Sequence, residues 1–88
     1  MHIVIEGELT IYRAAELKSV LLEAVRAHDA PALDLSAVTE FDSAGLQLLL
    51  MARQEAQRLG KPLQVAGASP AVREVFALLG MDLEGAWG

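Results

Sequence analysis

Short apolar runs alternate along the chain with longer stretches of helical period, and each change of period marks an element. The β-branched run from Ile3 to Ile5 predicts a short strand, and Gly7 supplies a bend before a second extended piece, Leu9 to Ile11. The period then changes. Leu17, Val20, Leu21 and Ala24 recur at three-and-four spacing on one face of a helix, with Glu16, Ser19, Glu23 and Arg26 on the other side. Thr10 or a near neighbour is the expected cap of that helix. Ala30-Pro31 breaks it, because proline has no amide hydrogen to continue the ladder. Leu33 and Leu35 then alternate against Asp34 as a strand.

The longest helix opens at Asp42 or Ser43 and runs to about Leu59, where Gly60 ends it by entering the left-handed conformation cheaply. Pro62 to Ala66 reads as another strand, with Leu63 and Val65 on one side. Ser69-Pro70 places a capping hydroxyl before a proline at the first helical position, which starts a last helix. Val72, Val75, Phe76 and Leu79 form its apolar stripe, and Gly80 closes it. Strands alternating with helices through short connections predict an α/β fold: a compact mixed or parallel sheet of about four short strands with helices packed against it. The tail from Met81 to Gly88 has too little pattern to place, and Trp87 either folds back on the core or hangs free.

Composition narrows what such a fold can do. With 88 residues, 53% hydrophobic and 22% charged, the chain has room for a single globular domain spanning 1–88. A chain of this size buries about 60–68% of its unfolded surface, so the core is thin. Seven Lys and Arg against twelve Asp and Glu leave a net charge of -5, which makes nucleic acid and anionic lipid poor partners. The absence of cysteine removes disulfides, thiolate metal sites and thiol nucleophiles. His2 and His28 are too few for a metal or catalytic cluster. The start, MHIVIEGELT, lacks the features of a signal peptide. Gln47, Arg53 and Gln54 interrupt the longest leucine-rich segment, so no membrane insertion is expected and the default is a cytoplasmic protein.

Enzyme chemistry finds no support in these residues. Phe41-Asp42-Ser43-Ala44-Gly45 lacks the first glycine of a hydrolase nucleophile elbow, and neither histidine is placed as its base. Asp34, Glu40 and Asp42 read as solvated acids, with Asp42 capping the helix, rather than as a cation site. No phosphate-binding glycine loop is present, so no catalytic residue, metal or cofactor is expected. Arg53, Arg58 and Lys61 form a solvated face or pair with an acidic partner. Arg73 and Glu74 read as surface charges.

The informative segment is Leu33 to Leu50. At about 100° per residue, Gly45, Leu48, Leu49, Ala52, Ala56 and Leu59 make the core face of the long helix. Ser43 points away from it, flanked by Leu46, Gln47, Leu50 and Gln54. Two readings follow from the residues alone. Ser43 is only a cap, with Leu46 and Leu50 under a neighbouring loop, or this face is a contact surface.

Asp42-Ser43-Ala44-Gly45-Leu46, preceded by LDLSAVTEF and followed by ASPAVREVFALLGM, resembles the STAS domain of bacterial anti-sigma factor antagonists. Gly7-Glu8-Leu9, Gly60-Lys61-Pro62 and the Ser-Pro-Ala-Val-Arg helix opening extend the likeness over nearly the whole chain. The resemblance implies a non-enzymatic domain in which Ser43 is phosphorylated by a partner, an anti-sigma factor with serine-kinase activity. It implies partner contact through Asp42, Ser43, Ala44, Gly45, Leu46, Gln47 and Leu50. Phosphate there would turn the partner away, and the ATP would be the kinase's. Departures are also visible: the chain begins close to the family's GEL segment and ends soon after the Ser-Pro helix, as expected of a compact version. Ala44 stands where sporulation and stress-response antagonists often carry a second hydroxyl. A small residue there is similar to the STAS subunit of the Mla phospholipid-transport ATPase and to STAS proteins linked to chemotaxis and sensor-kinase systems, where docking matters without sigma regulation.

Overall fold

The computed structural model describes residues 2–80. Within them the elements alternate as β1 (His2–Leu9), α1 (Ala14–Ala27), β2 (Ala32–Phe41), α2 (Ser43–Arg58), β3 (Gln64–Ala68) and α3 (Pro70–Leu78). The strands pair in parallel in the order β1-β2-β3. The α/β class and the parallel arrangement are therefore as expected, while the sheet has three strands among the described residues rather than about four. The tail containing Trp87 lies outside them.

Gly7 explains the strand count. It adopts φ 77, which costs little only for glycine. The register with β2 shifts on either side, between Val4 and Glu6 and between Gly7 and Glu8. Arg13 spans the irregularity, its Nη1 donating to the carbonyls of Glu6 at 3.0 Å and Glu8 at 3.3 Å. The bend read at Gly7 is thus a bulge inside one continuous strand, and most of the two expected extended pieces merges into β1. Ile11 belongs to the following loop.

Both crossovers advance the same way across the sheet, so a shared hand places α1 and α2 on the same face. There they pack on each other and enclose Ile5, Leu33 and Leu35. Val4, Glu6, Ser36 and Gln64 alternate with the inward residues and are exposed on the other face. α3 packs against β2, and the rings of Phe41 and Phe76 stack with centroids 6.2 Å apart. Ser69 caps α3 as expected, Oγ accepting from the Val72 amide at 3.3 Å with Pro70 in the first turn. Lys61 Nζ donates to the carbonyls of Val25 and Arg26 at 3.1 and 2.7 Å, satisfying acceptors that the end of α1 leaves open.

Several expectations for individual residues are corrected. Thr10 does not cap α1; its hydroxyl donates to Glu8 Oε1 at 2.8 Å, and the cap position is Arg13, without a side-chain bond. Val20 is 45% exposed because the buried line of α1 is Leu17, Leu21 and Val25, whose middle lies about 100° around the helix from Val20. Leu59 and Leu79 are also exposed, since each is the residue just past its helix rather than part of the stripe. No helix among the described residues is long and apolar enough to cross a membrane.

Candidate functional site

The site forms where β2 hands over to α2. Asp42 is extended, with φ -127 and ψ -172, and caps α2. Its Oδ1 accepts the Gly45 amide at 3.1 Å, while Oδ2 accepts the Ile11 amide at 3.2 Å. One carboxylate thereby satisfies an open donor of the helix and ties the β1–α1 loop to the first turn of α2. Ser43 is consequently not the cap. It is the first residue of α2, exposed, and its hydroxyl has no hydrogen-bond partner among the described residues.

The neighbouring motif residues divide into those that shape the turn and those that face outward. A Cβ on Gly45 would sit 2.1 Å from the Leu9 carbonyl oxygen and 3.0 Å from the Phe41 ring. Gly45 is therefore what lets α2 start directly against the end of β1. Leu46, expected on the exposed face, is 8% exposed and belongs to the core. The physical reason is that the buried arc of α2 is wider than the band of Gly45, Leu49 and Ala52 and reaches Leu46, on the flank opposite Glu55, the residue that pairs with α1. Ala44 and Leu50 are half-buried, and Gln47 is exposed. Thus Ser43, Gln47 and part of Leu50 form a surface, with Ala44 at its edge, while Gly45 and Leu46 lie beneath it.

The loop between β1 and α1 lies beside this turn. Ile11 is 67% exposed and Tyr12 is 89% exposed. The loop is pinned by the Ile11–Asp42 bond and by the Arg13 amide donating to the Thr10 carbonyl at 3.0 Å. An apolar pair is thus held in water next to the Asp42 cap, the residue before Ser43. Nothing in the periodic pattern marks the pair, because Ile11 and Tyr12 lie between the end of β1 at Leu9 and the start of α1 at Ala14.

The acids of the region have separate tasks. Asp34 Oδ1 accepts from the Ser36 amide and hydroxyl at 3.0 and 2.6 Å, whereas Asp42 is committed to the cap. Among the described residues no group of three or more His, Asp or Glu could hold a metal ion. At the far end of α2, Glu55 accepts from Arg58 and Arg26, with shortest contacts of 2.6 and 2.7 Å. Hydrogen bonds first from Arg58 and then from Arg26 lower its pKa to about 2.

The comparisons agree with this architecture. The family model described as Mlab, STAS domain matches residues 1–83. The anti-sigma factor antagonist SpoIIAA in its unphosphorylated form is 23% identical with a TM-score of 0.73, aligning 91% of this chain with 71% of that one. The STAS domain of a SulP transporter from Vibrio cholerae is 22% identical with a TM-score of 0.64, over 90% of this chain and 62% of that one. At these identities the likeness is one of fold. No curated protein sequence matches the chain. The family match, the parallel sheet and the Asp-capped turn leading into α2 lead to one conclusion: the chain belongs to the STAS domain family.

Proposed function

We propose that the chain is a docking module whose surface around Ser43 binds an anti-sigma factor with serine-kinase activity, and that phosphorylation of Ser43 switches docking off. The observation that carries this reading is that Asp42 does the capping, which leaves the Ser43 hydroxyl exposed, next to the cap that holds the loop of Ile11 and Tyr12. In the transfer, Ser43 Oγ forms a bond to the γ-phosphorus of ATP held by the kinase. The bond to the ADP oxygen breaks, and the hydroxyl proton passes to a base of the kinase. The phosphate brings about -1.5 to -2 charges at pH 7. A helix start accommodates such an anion through its open amides and dipole, so the fold persists. Docking does not, because a dianion next to Asp42 would have to be desolvated against the partner. The likeness to an anti-sigma factor antagonist solved in its unphosphorylated form supports this reading.

A second reading is favoured by the family model's Mlab description and by the SulP transporter neighbour. In it, the same face is buried permanently against a phospholipid-transport ABC ATPase, or against a chemotaxis or sensor-kinase system, without sigma regulation. One experiment separates the two. The chain is incubated with the candidate kinase and ATP, any phosphate is located by mass spectrometry, and affinities of wild type and Ser43→Asp are measured by calorimetry. The first reading expects phosphate on Ser43 and a loss of at least about tenfold in affinity, or 1.4 kcal/mol. Absence of phosphate at Ser43 together with unchanged Ser43→Asp affinity refutes it. Tight binding to the ATPase would then favour the second.

A further inference from the structure

The surface does not stop at the Ser43 turn. Ser43, Gln47, Leu50, Gln54 and Gln57 follow one another at alternating spacings of four and three, which sets them in one line along the outer side of α2. Leu50 and Met51 are half-buried against the core, whereas Gln54 and Gln57 are exposed. Met51, Gln54 and Gln57 border two adjoining open grooves, one of about 620 Å³ toward α1 and one of about 570 Å³ beginning at Gln47. Together they make one trough down α2, continuous with the proposed docking surface.

The charge of the trough runs against that of the chain. In a protein of net charge -5, three of the seven basic residues, Arg26, Arg53 and Arg58, border its lower half. The built part is the Arg26–Glu55–Arg58 cluster. The Glu55 side chain is 10% exposed, but those of Arg26 and Arg58 are 55% and 66% exposed. Two cations share one anion, which leaves a positive balance with guanidinium edges in water. Glu55 also fixes both guanidiniums in place, so a carboxylate arriving from outside meets donors whose ordering cost is already met.

We infer that this trough receives an acidic amphipathic helix of the partner protein, with Leu50 and Met51 taking its apolar side chains and Arg26 and Arg58 its carboxylates. The inference rests on the docking role proposed above and names the chemistry of what docks. A second copy of α2 does not fit the same description, since its sole carboxylate is Glu55, already held by its own arginines.

The test uses two synthetic helical peptides that share one leucine stripe, flanked in one by glutamates and in the other by lysines. Each is titrated into the full ¹⁵N-labelled chain and followed by amide shifts. The acidic peptide should shift amides from Gln47 to Arg58 and bind at least about tenfold tighter than its basic twin. Arg58→Gln should remove most of that preference. Gln54→Glu, a surface change that leaves Glu55 paired, should weaken the acidic peptide and strengthen the basic one. Equal binding of the twins, or shifts confined to another face, overturns the inference. So do concentration-dependent shifts of α2 without peptide, which would assign the trough to a second copy. If the twins bind alike while Ser43→Asp still releases the kinase, the trough fails and the switch stands. Acid-selective binding with a kinase partner indifferent to Ser43→Asp gives the reverse.

Discussion

Replacing Gly45 by alanine tests the construction of the site most directly. The added Cβ would lie 2.1 Å from the Leu9 carbonyl oxygen, where ordinary contact begins near 3.4 Å, and 3.0 Å from two atoms of the Phe41 ring. Leu9 is fully buried and paired with Phe41 across the β1–β2 ladder, so its carbonyl has little freedom to retreat. Overpacking costs roughly 1–3 kcal/mol and occasionally more. A clash with backbone belongs at the upper end, about 3 kcal/mol, against which alanine's better helix propensity returns about 1 kcal/mol. The net loss is about 2 kcal/mol or more. A domain of this size is stabilised by roughly 4–13 kcal/mol, so the loss is a sizeable fraction. It corresponds to a fall in Tm of roughly 8–16 °C. Urea unfolding followed by circular dichroism measures it. Gly60→Ala is a useful comparison: φ is 70 there but nothing lies within 4 Å, so only the left-handed backbone term of about 1–2 kcal/mol applies. A Gly45→Ala protein within about 0.5 kcal/mol of wild type would refute the reasoning. So would one that keeps its stability and loses its partner, because Gly45 would then be a contact rather than the residue that seats the helix.

Leu46→Ala should cost about 2–5 kcal/mol by emptying a core position, while Gln47→Ala should stay within about 0.5 kcal/mol; denaturant midpoints of the two variants would show which faces inward. Asp42→Ala should cost about 1–2 kcal/mol through the lost cap and should speed hydrogen exchange at the Gly45 and Ile11 amides together, since one carboxylate holds both. Glu55, whose pKa is lowered from 4.5 to about 2, stabilises the fold fully above 4.5 and loses that contribution as pH falls toward 2. Acid unfolding of wild type between those values should therefore be steeper than that of Glu55→Gln, and equal slopes would contradict the Arg26–Glu55–Arg58 arrangement.

The element order was legible because helical and strand periods are different and the punctuation is strong. Ser69-Pro70 and Gly60 act through their own local backbone and marked their boundaries well. Gly7 misled for a related reason: a positive φ reads as a turn, and only Arg13, reaching back to two strand carbonyls, keeps β1 running through it. The site was legible in part. Asp42 and the outward direction of Ser43 follow from helix geometry, but the burial of Leu46 depends on how far the assembled core wraps around α2. That is a tertiary fact absent from a single helix's angles. Ile11 and Tyr12 were missed because the strand reading extended through Ile11, whereas the chain leaves the sheet at Leu9.

The division of labour between Asp42 and Ser43 bears on how the proposed switch would work. If Ser43 were the cap, its hydroxyl would accept a helix amide, and phosphorylation would alter the first turn as well as the surface charge. With Asp42 in that position, both carboxylate oxygens are occupied by amides from different elements. The turn then depends on Asp42 for its stability and leaves the Ser43 hydroxyl without a hydrogen-bond partner among the described residues. Stability and signalling separate onto adjacent residues. Ser43→Ala and Ser43→Asp should accordingly unfold within about 0.5 kcal/mol of wild type, while Asp42→Ala loses stability before any partner is added. A Ser43→Asp protein as unstable as Asp42→Ala would show that the phosphate analogue disrupts the turn itself, and loss of docking would then follow from misfolding rather than from charge at an intact surface.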